Sequence, residues 1–270
     1  MTKLTNDEIR QNVRNRYKQI AVAGMHVESC CQPKNSQAGC CSTPSDFNSI
    51  SSRLGYSDNE LNAVPDGANL GLGCGNPQAI ASLKAGEVVL DLGSGGGFDC
   101  FLASRQVGET GRVIGVDMTP EMVSRARSNA LKGGFNNTDF RLGEIEHLPV
   151  SDNSVDVIIS NCVINLSPDK QQVFDEAFRV LKTGGRLAIS DIVTTAELPP
   201  EIKNDLDELY SGCISGASST SEIETMLQQS GFADISVEPK DESKAFIKDW
   251  VQGSNMEDYI ASAVIKATKP

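Results

Sequence analysis

Between Val88 and Val193 the chain alternates five short apolar runs with three helical stretches, and this alternation is the strongest constraint on its fold. The run Val88–Leu92 has strand length, ends in the turn Gly93-Ser94-Gly95-Gly96-Gly97 and leads into a helical stretch over residues 98–105. Residues 113–116 predict a second strand. Thr119 and Pro120 then place an N-cap and a first-turn proline before a helix carrying Met122, Val123, Ala126 and Ala130, which stops near Gly133-Gly134. Phe140 and Leu142 mark a third strand, residues 155–160 a fourth and residues 186–193 a fifth. Between the last two, Ser167-Pro168 caps a helix that buries Val173, Phe174, Ala177, Val180 and Leu181 and stops at Gly184-Gly185. Strands and helices at this spacing build a parallel sheet covered on both faces, a doubly wound α/β architecture.

The flanks are less regular. Thr5 and Glu8 have capping-box spacing, and Ile9, Val13, Tyr17 and Ile20 share a face, so residues 5–24 read as a helical arm. Residues 28–45 lack periodicity and read as a Cys-rich loop; Ser57 with Glu60 opens a short helix, and residues 64–77 form a glycine-rich loop. After Val193 come an acidic helix over 198–210, a small-residue loop over 212–220 and a helix capped by Ser221 and Glu224 that ends at Gly231. Residues 235–239 and 259–267 supply two closing strands, seven in all. The expected organisation is an arm and loop (1–45), a core (46–197), and a lid with closing strands (198–270).

Charge and composition remove several function classes. The net charge of −12 has the wrong sign for holding nucleic acid or an anionic membrane. No apolar run approaches the roughly 18 residues of a membrane span, and the charged first twenty residues contain no signal-type stretch, so a cytoplasmic location is expected. There most of the 8 cysteines would stay reduced. Two vicinal pairs, Cys30-Cys31 and Cys40-Cys41, precede Cys74, Cys100, Cys162 and Cys213.

In an open α/β sheet ligands bind beyond the carboxyl ends of the strands, where the first strand here runs into Asp91-Leu92-Gly93-Ser94-Gly95-Gly96-Gly97-Phe98. Phe98 stands where a dinucleotide fingerprint needs its third glycine, and Asp117 ends the second strand where a carboxylate can accept from ribose hydroxyls. This stretch resembles motif I and its successors in the class I S-adenosylmethionine methyltransferases. The resemblance implies that Asp91 and Gly93 hold the methionine end of the cofactor, Asp117 the ribose and Met118 one adenine face, with Gly95 of the same turn among the cofactor residues. It also implies that Glu144 of Gly143–Pro149 meets the adenine amino group with Ile145 beside it, and that Asn161, ending the fourth strand, belongs with the cofactor residues.

The methyl acceptor must lie over the ends of the first and fourth strands, where Cys162 follows Asn161. Cys74 in the glycine loop and Cys213 in the lid are the other non-helical cysteines of the main domain, whereas Cys100, inside a helix, packs as a small hydrophobe. Three converging thiolates suit a soft trivalent centre whose lone pair needs no general base, a description met by arsenic(III). Accordingly neither His26 nor His147 is expected to act as a base. Leu54–Ser57, Asn69–Pro77, Asp91–Phe101, Gly115–Met122, Gly143–Pro149, Ile159–Lys170 and Tyr210–Cys213 together resemble the arsenite S-adenosylmethionine methyltransferases over roughly residues 50–270.

That family resemblance implies that Cys74, Cys162 and Cys213 bind arsenic as catalytic thiols. Arsenite would become methylarsenite and, after a second transfer, dimethylarsenite. It further implies that thioredoxin or glutathione reopens the disulfide left by each cycle, with an N-terminal cysteine in the relay. Of the four candidates Cys40 and Cys41 lie nearest Cys74; the Cys-Cys-x8-Cys-Cys cluster lacks the usual spacing of a zinc site. A monomer is expected. Two other readings stay open: a class I methyltransferase of a small organic acceptor, and a thiol-based arsenic-binding protein.

Overall fold

The computed structural model describes residues 4–23, 44–197, 214, 216–248 and 255–270. The expected loop over 28–45 and acidic helix over 198–210 lie outside these residues, apart from the start of α2. Among the described residues no helix is long and apolar enough to cross a membrane.

Helix α1 (Asn6–Ala23) opens with the expected capping box, Thr5 N–H donating to Glu8 Oε2 at 2.7 Å. Short helices α2 (Pro44–Arg53), α3 (Asp58–Leu61) and α4 (Gln78–Ala81) follow, and Ser57 and Glu60 cap α3 reciprocally. The regular part then runs β1 (Val88–Leu92), α5 (Phe98–Val107), β2 (Arg112–Asp117), α6 (Pro120–Gly133), β3 (Thr138–Leu142), β4 (Val155–Asn161), α7 (Lys170–Val180) and β5 (Leu181–Thr194). A two-residue strand β6 (Ser218–Ser219), helix α8 (Thr220–Ser230), β7 (Ala233–Lys240) and β8 (Ile260–Thr268) complete it.

The sheet order is β3-β2-β1-β4-β5-β8-β7, with β6 paired to β5. Strands β1 to β5 are parallel, whereas β8 runs antiparallel to both β5 and β7, so the closing strands reverse direction. Pleating sends Leu90 and Leu92 into one core with Ile158 and Phe174, and Val89 into the other with Val157, Ile159 and Phe101. Asp91 and Asn161 follow the parity of Val89 and Ile159, which aims both at the α5 side of the sheet. The strand order reverses between β1 and β4, the switch point beside which such folds bind ligands.

Three boundaries differ from the sequence reading. Helix α7 starts after Asp169, whose side chain accepts from Gln172 N–H, and it ends at Val180 because Leu181 already pairs with Val155 ahead of a bulge in β4. Helix α8 is capped by Ser219 with Glu222, two residues before the expected box, because Ser219 is held extended by pairing with Thr194 and the helix starts directly after it. Thr119 precedes α6 as expected but makes no side-chain cap bond; its N–H donates instead to Asp117. The arm is also more than an appendage, since Ile9, Val13 and Ala21 are buried and Arg125 of α6 donates to the Ala21 carbonyl at 2.9 Å.

Candidate active site

A cavity of about 670 Å³ opens over the carboxyl ends of β1, β2 and β4, walled by α1 and by the loop that carries Cys74. At one end, Gly93 turns the chain in the left-handed region, and a Cβ there would collide with Val163. Gly95 is also left-handed, but nothing lies within 4 Å of where its Cβ would stand, so the turn leaves an open cradle. Asp117 closes that cradle: its carboxylate accepts from Gly95 N–H at 3.0 Å and Thr119 N–H at 2.8 Å. Burial raises its pKa against those two bonds. Met118 and Ile145 also line the cavity.

Beneath the turn lies a buried polar cluster. Asp99 accepts from the Tyr56 hydroxyl at 2.8 Å, and the Cys100 thiol donates to Asp91 at 3.2 Å. Cys100 therefore packs in the core, as expected, but also hydrogen-bonds to a residue assigned to the cofactor. Desolvation, and the proximity of one carboxyl to the other, push Asp91 well above the usual carboxylate range, and desolvation raises Asp99.

Glu144 does not line the cavity in this structure; it is ion-paired to Arg14 at 3.1 Å and Arg10 at 3.5 Å, because α1 presents a basic edge to that loop. The acid that lines the cavity beside Ile145 is Glu146, buried against Arg10 at 3.1 Å and accepting from Ser167 at 2.8 Å. Sequence reasoning chose the first of two acids in Glu144-Ile145-Glu146; which of them faced inward depended on α1.

At the other end of the cavity Cys74 and Cys162 are joined as a disulfide, with Cα atoms 5.8 Å apart across a sequence separation of 88. Asn161 holds the loop to the strand end: its Oδ1 accepts from Cys74 N–H at 3.0 Å and its Nδ2 donates to the Gly75 carbonyl at 2.8 Å. Asn161 also lines the cavity, so it adjoins both halves of the site. Cys162 leaves β4 in the left-handed region (φ 58°), with its N–H donating to the Ser190 carbonyl at 2.8 Å. Ile192, Ile214, Ile247, Met256 and Ile260 pack around the two sulfurs. Cys213, Cys40 and Cys41 lie outside the described residues.

A residue that sequence reasoning missed completes this end. Asp191, buried in β5, has a carboxylate oxygen within 4.8 Å of both sulfurs. It accepts from Ile164 N–H at 2.9 Å, Asn165 Nδ2 at 2.8 Å and Ile192 N–H at 2.7 Å. The only carboxylate of a strand whose stretch from Leu187 to Val193 is mostly apolar was the available signal, since such a group is rarely buried without partners or a task. Burial pushes its pKa up to about 7, against the pull of those hydrogen bonds.

Two predictions follow from these contacts. A methyl group at Gly73 (φ 130°) would stand 2.8 to 2.9 Å from the Asn161 amide, so Gly73→Ala is expected to displace the Cys74 loop. After reduction, closure of the Cys74–Cys162 disulfide should slow roughly tenfold or more; an unchanged rate would show that Asn161 does not place Cys74. Between about pH 4, where an unfolded Asp titrates, and pH 7, folded Asp191 keeps a proton that the unfolded chain has lost. Its contribution to stability therefore falls as pH rises through that window. Urea unfolding from pH 4 to 8 should show Asp191→Asn with a shallower decline than the native chain, the difference reaching on the order of a few kcal/mol. Parallel profiles would contradict the raised pKa.

A doubly wound sheet with a glycine cradle and a carboxylate closing the second strand is the nucleoside-binding arrangement, and a methyltransferase-domain family matches residues 83–231. Along 98% of its length the chain is 52% identical to the arsenite methyltransferase of Halobacterium salinarum, covering 67% of that protein. The human arsenite methyltransferase is 46% identical over 53% of this chain, which spans only 40% of it. Among solved structures, the arsenic(III) S-adenosylmethionine methyltransferase of Chlamydomonas reinhardtii superposes with a TM-score of 0.61 at 32% identity, covering 82% of this chain and 73% of that one. The chain belongs to the arsenite methyltransferase family.

Proposed function

We propose that this chain transfers methyl groups from S-adenosylmethionine to trivalent arsenic held by Cys74 and Cys162, with Cys213 as the third thiol. The observation that carries the reading is the pairing of Cys74 with Cys162 at the end of the cavity that holds the glycine cradle. The residues fit the cofactor: Gly95 leaves open space beside Asp117, whose carboxylate keeps acceptor capacity for the ribose, and Met118 and Ile145 offer apolar faces for adenine. When bound, S-adenosylmethionine supplies an electrophilic methyl on a sulfonium sulfur.

The protein's own part is to bind and align. Thiolates of Cys74 and Cys162 hold arsenic in a pyramid with its lone pair free, so no proton need be removed from the acceptor; among the described residues no histidine lines the cavity. The isoleucines around the sulfurs keep water away from the reacting centre. Attack by the lone pair leaves arsenic formally pentavalent. Two electrons from the two thiolates return it to the trivalent state and join the sulfurs as the disulfide, which thioredoxin or glutathione reopens by exchange, with Cys40 or Cys41 relaying. Because the thiols must be regenerated, we place the protein in the cytoplasm, and we read it as a monomer.

The test is speciation. Purified protein with S-adenosylmethionine, arsenite and excess thiol is incubated, and the arsenic products are separated and detected. Methylarsenite, followed by dimethylarsenite, is the expected result. Tight arsenite binding without methylated product would favour a thiol-based arsenic-binding protein, and loss of both would leave a methyltransferase of an organic acceptor.

A further inference from the structure

Arsenic(III) is satisfied by thiolates and gains little from a carboxylate, yet a carboxylate stands at the same point. The Sγ atoms of Cys74 and Cys162 and an oxygen of Asp191 all lie within 4.8 Å of one another, and all three residues are buried. We propose that, once its disulfide is reduced, this triad is a binding site for a thiophilic divalent cation, with zinc as the reference ion, and that such an ion competes with trivalent arsenic. The proposal rests on the reading above only in requiring that the Cys74–Cys162 bond opens to an external reductant.

The donor set is what separates the two kinds of ligand. Zinc is borderline in softness and takes sulfur and carboxylate oxygen together, at about 2.3 Å and 2.0 Å in a tetrahedron. Those lengths set donor-to-donor edges of about 3.5 to 3.8 Å, within the spread the three residues already span. Opening the disulfide to that separation asks for a small displacement of two sulfurs, one of them on a loop. Cys162 also lines the cavity, the side from which a small thiol could supply a fourth donor.

The surroundings of Asp191 are those of an oriented ligand. Oδ1 accepts from Asn165 Nδ2 and Ile192 N–H, and Oδ2 accepts from Ile164 N–H, which leaves Oδ2 the less committed oxygen. Outer contacts of this kind fix a ligating group and raise metal affinity. Two thiolates and a carboxylate carry three negative charges, which a divalent ion reduces to one, and the Lys170 ammonium lies near enough to act on Asp191.

The chemistry balances without further reagents. A dithiol or phosphine reductant gives two electrons to the disulfide and is itself oxidised, leaving two thiols. The incoming cation then displaces both thiol protons to solvent. While the cation stays, neither thiolate can close back onto the other, so the site is kept reduced until arsenic, the stronger thiolate ligand, takes its place.

The full chain is reduced with a phosphine, freed of reductant without oxygen, and pulsed with iodoacetamide at increasing zinc sulfate concentrations. Alkylation is read peptide by peptide, so binding at the N-terminal cysteine pairs does not interfere. Zinc is expected to slow alkylation of Cys74 and Cys162 together by at least about tenfold, magnesium to have no effect, and stoichiometric arsenite to release the zinc to a chromogenic chelator. Asp191→Asn should raise the half-protecting zinc concentration by roughly tenfold or more, in protein that still binds S-adenosylhomocysteine. Equal alkylation rates with and without zinc in the native chain would overturn the proposal whatever the variant does, as would protection indifferent to Asp191→Asn. Methylation of arsenite by the same reduced preparation is measured separately, so failure of the zinc site and failure of the arsenic reaction are told apart.

Discussion

Cys162→Ser is expected to remove methylation of both arsenite and methylarsenite, a fall on the order of a hundredfold or more. The serine hydroxyl is nearly isosteric and can keep the left-handed backbone and its hydrogen bond to the Ser190 carbonyl, so the turn survives while the thiolate does not. What is lost is one of the two sulfurs that meet at the end of the cavity, and with it the ligand and electron donor that the proposed reaction assigns to Cys162. Product arsenic is measured beside S-adenosylhomocysteine affinity on the same preparation. Loss of the first with retention of the second is the expected pattern, and full activity would remove Cys162 from the acceptor site.

Asp117→Ala should act at the opposite end. Its carboxylate now accepts from Gly95 and Thr119 N–H groups while facing the cavity, so truncation leaves two donors without a partner and takes away the ribose acceptor. Hydrogen bonds to a charged group contribute about 1.5 to 3 kcal/mol each. Losing two such bonds to the ribose corresponds to cofactor affinity weakened on the order of a hundredfold to ten-thousandfold. Calorimetric titration with S-adenosylhomocysteine checks this, and arsenite binding to the reduced thiols should persist. An unchanged titration would show that the ribose is held elsewhere.

The two variants also mark where sequence reasoning was sufficient. The cofactor end is built from neighbours in the chain: a strand, a glycine turn and a helix, then the acid that ends the next strand. Glycine in the left-handed region and a carboxylate at a strand terminus act over a few residues, so Gly93, Gly95 and Asp117 could be read before any packing was considered. Glu144 shows the limit. The sequence Glu144-Ile145-Glu146 offers two acids of opposite facing, and the choice between them came from the basic residues Arg10 and Arg14 more than a hundred positions away. Helix α8 shows it again, since two overlapping boxes compete there and pairing of Ser219 with β5 selects the earlier one.

What the sequence by itself determined is therefore the architecture and the glycine turn that leads from the first strand into its helix. Each rests on periodicity, turn chemistry or residue type, and those are local properties of a chain. Only the tertiary structure decided that Cys74 meets Cys162, that Asn161 holds the intervening loop, and that Asp191 stands against both sulfurs. Cys74, Asn161 and Asp191 lie on separate elements far apart in sequence, and no short-range rule acts across such a distance. Their meeting follows from the order in which parallel strands are laid into the sheet, with β4 beside β1 and β5 beside β4, so that the strand ends and the loop above them close on one point.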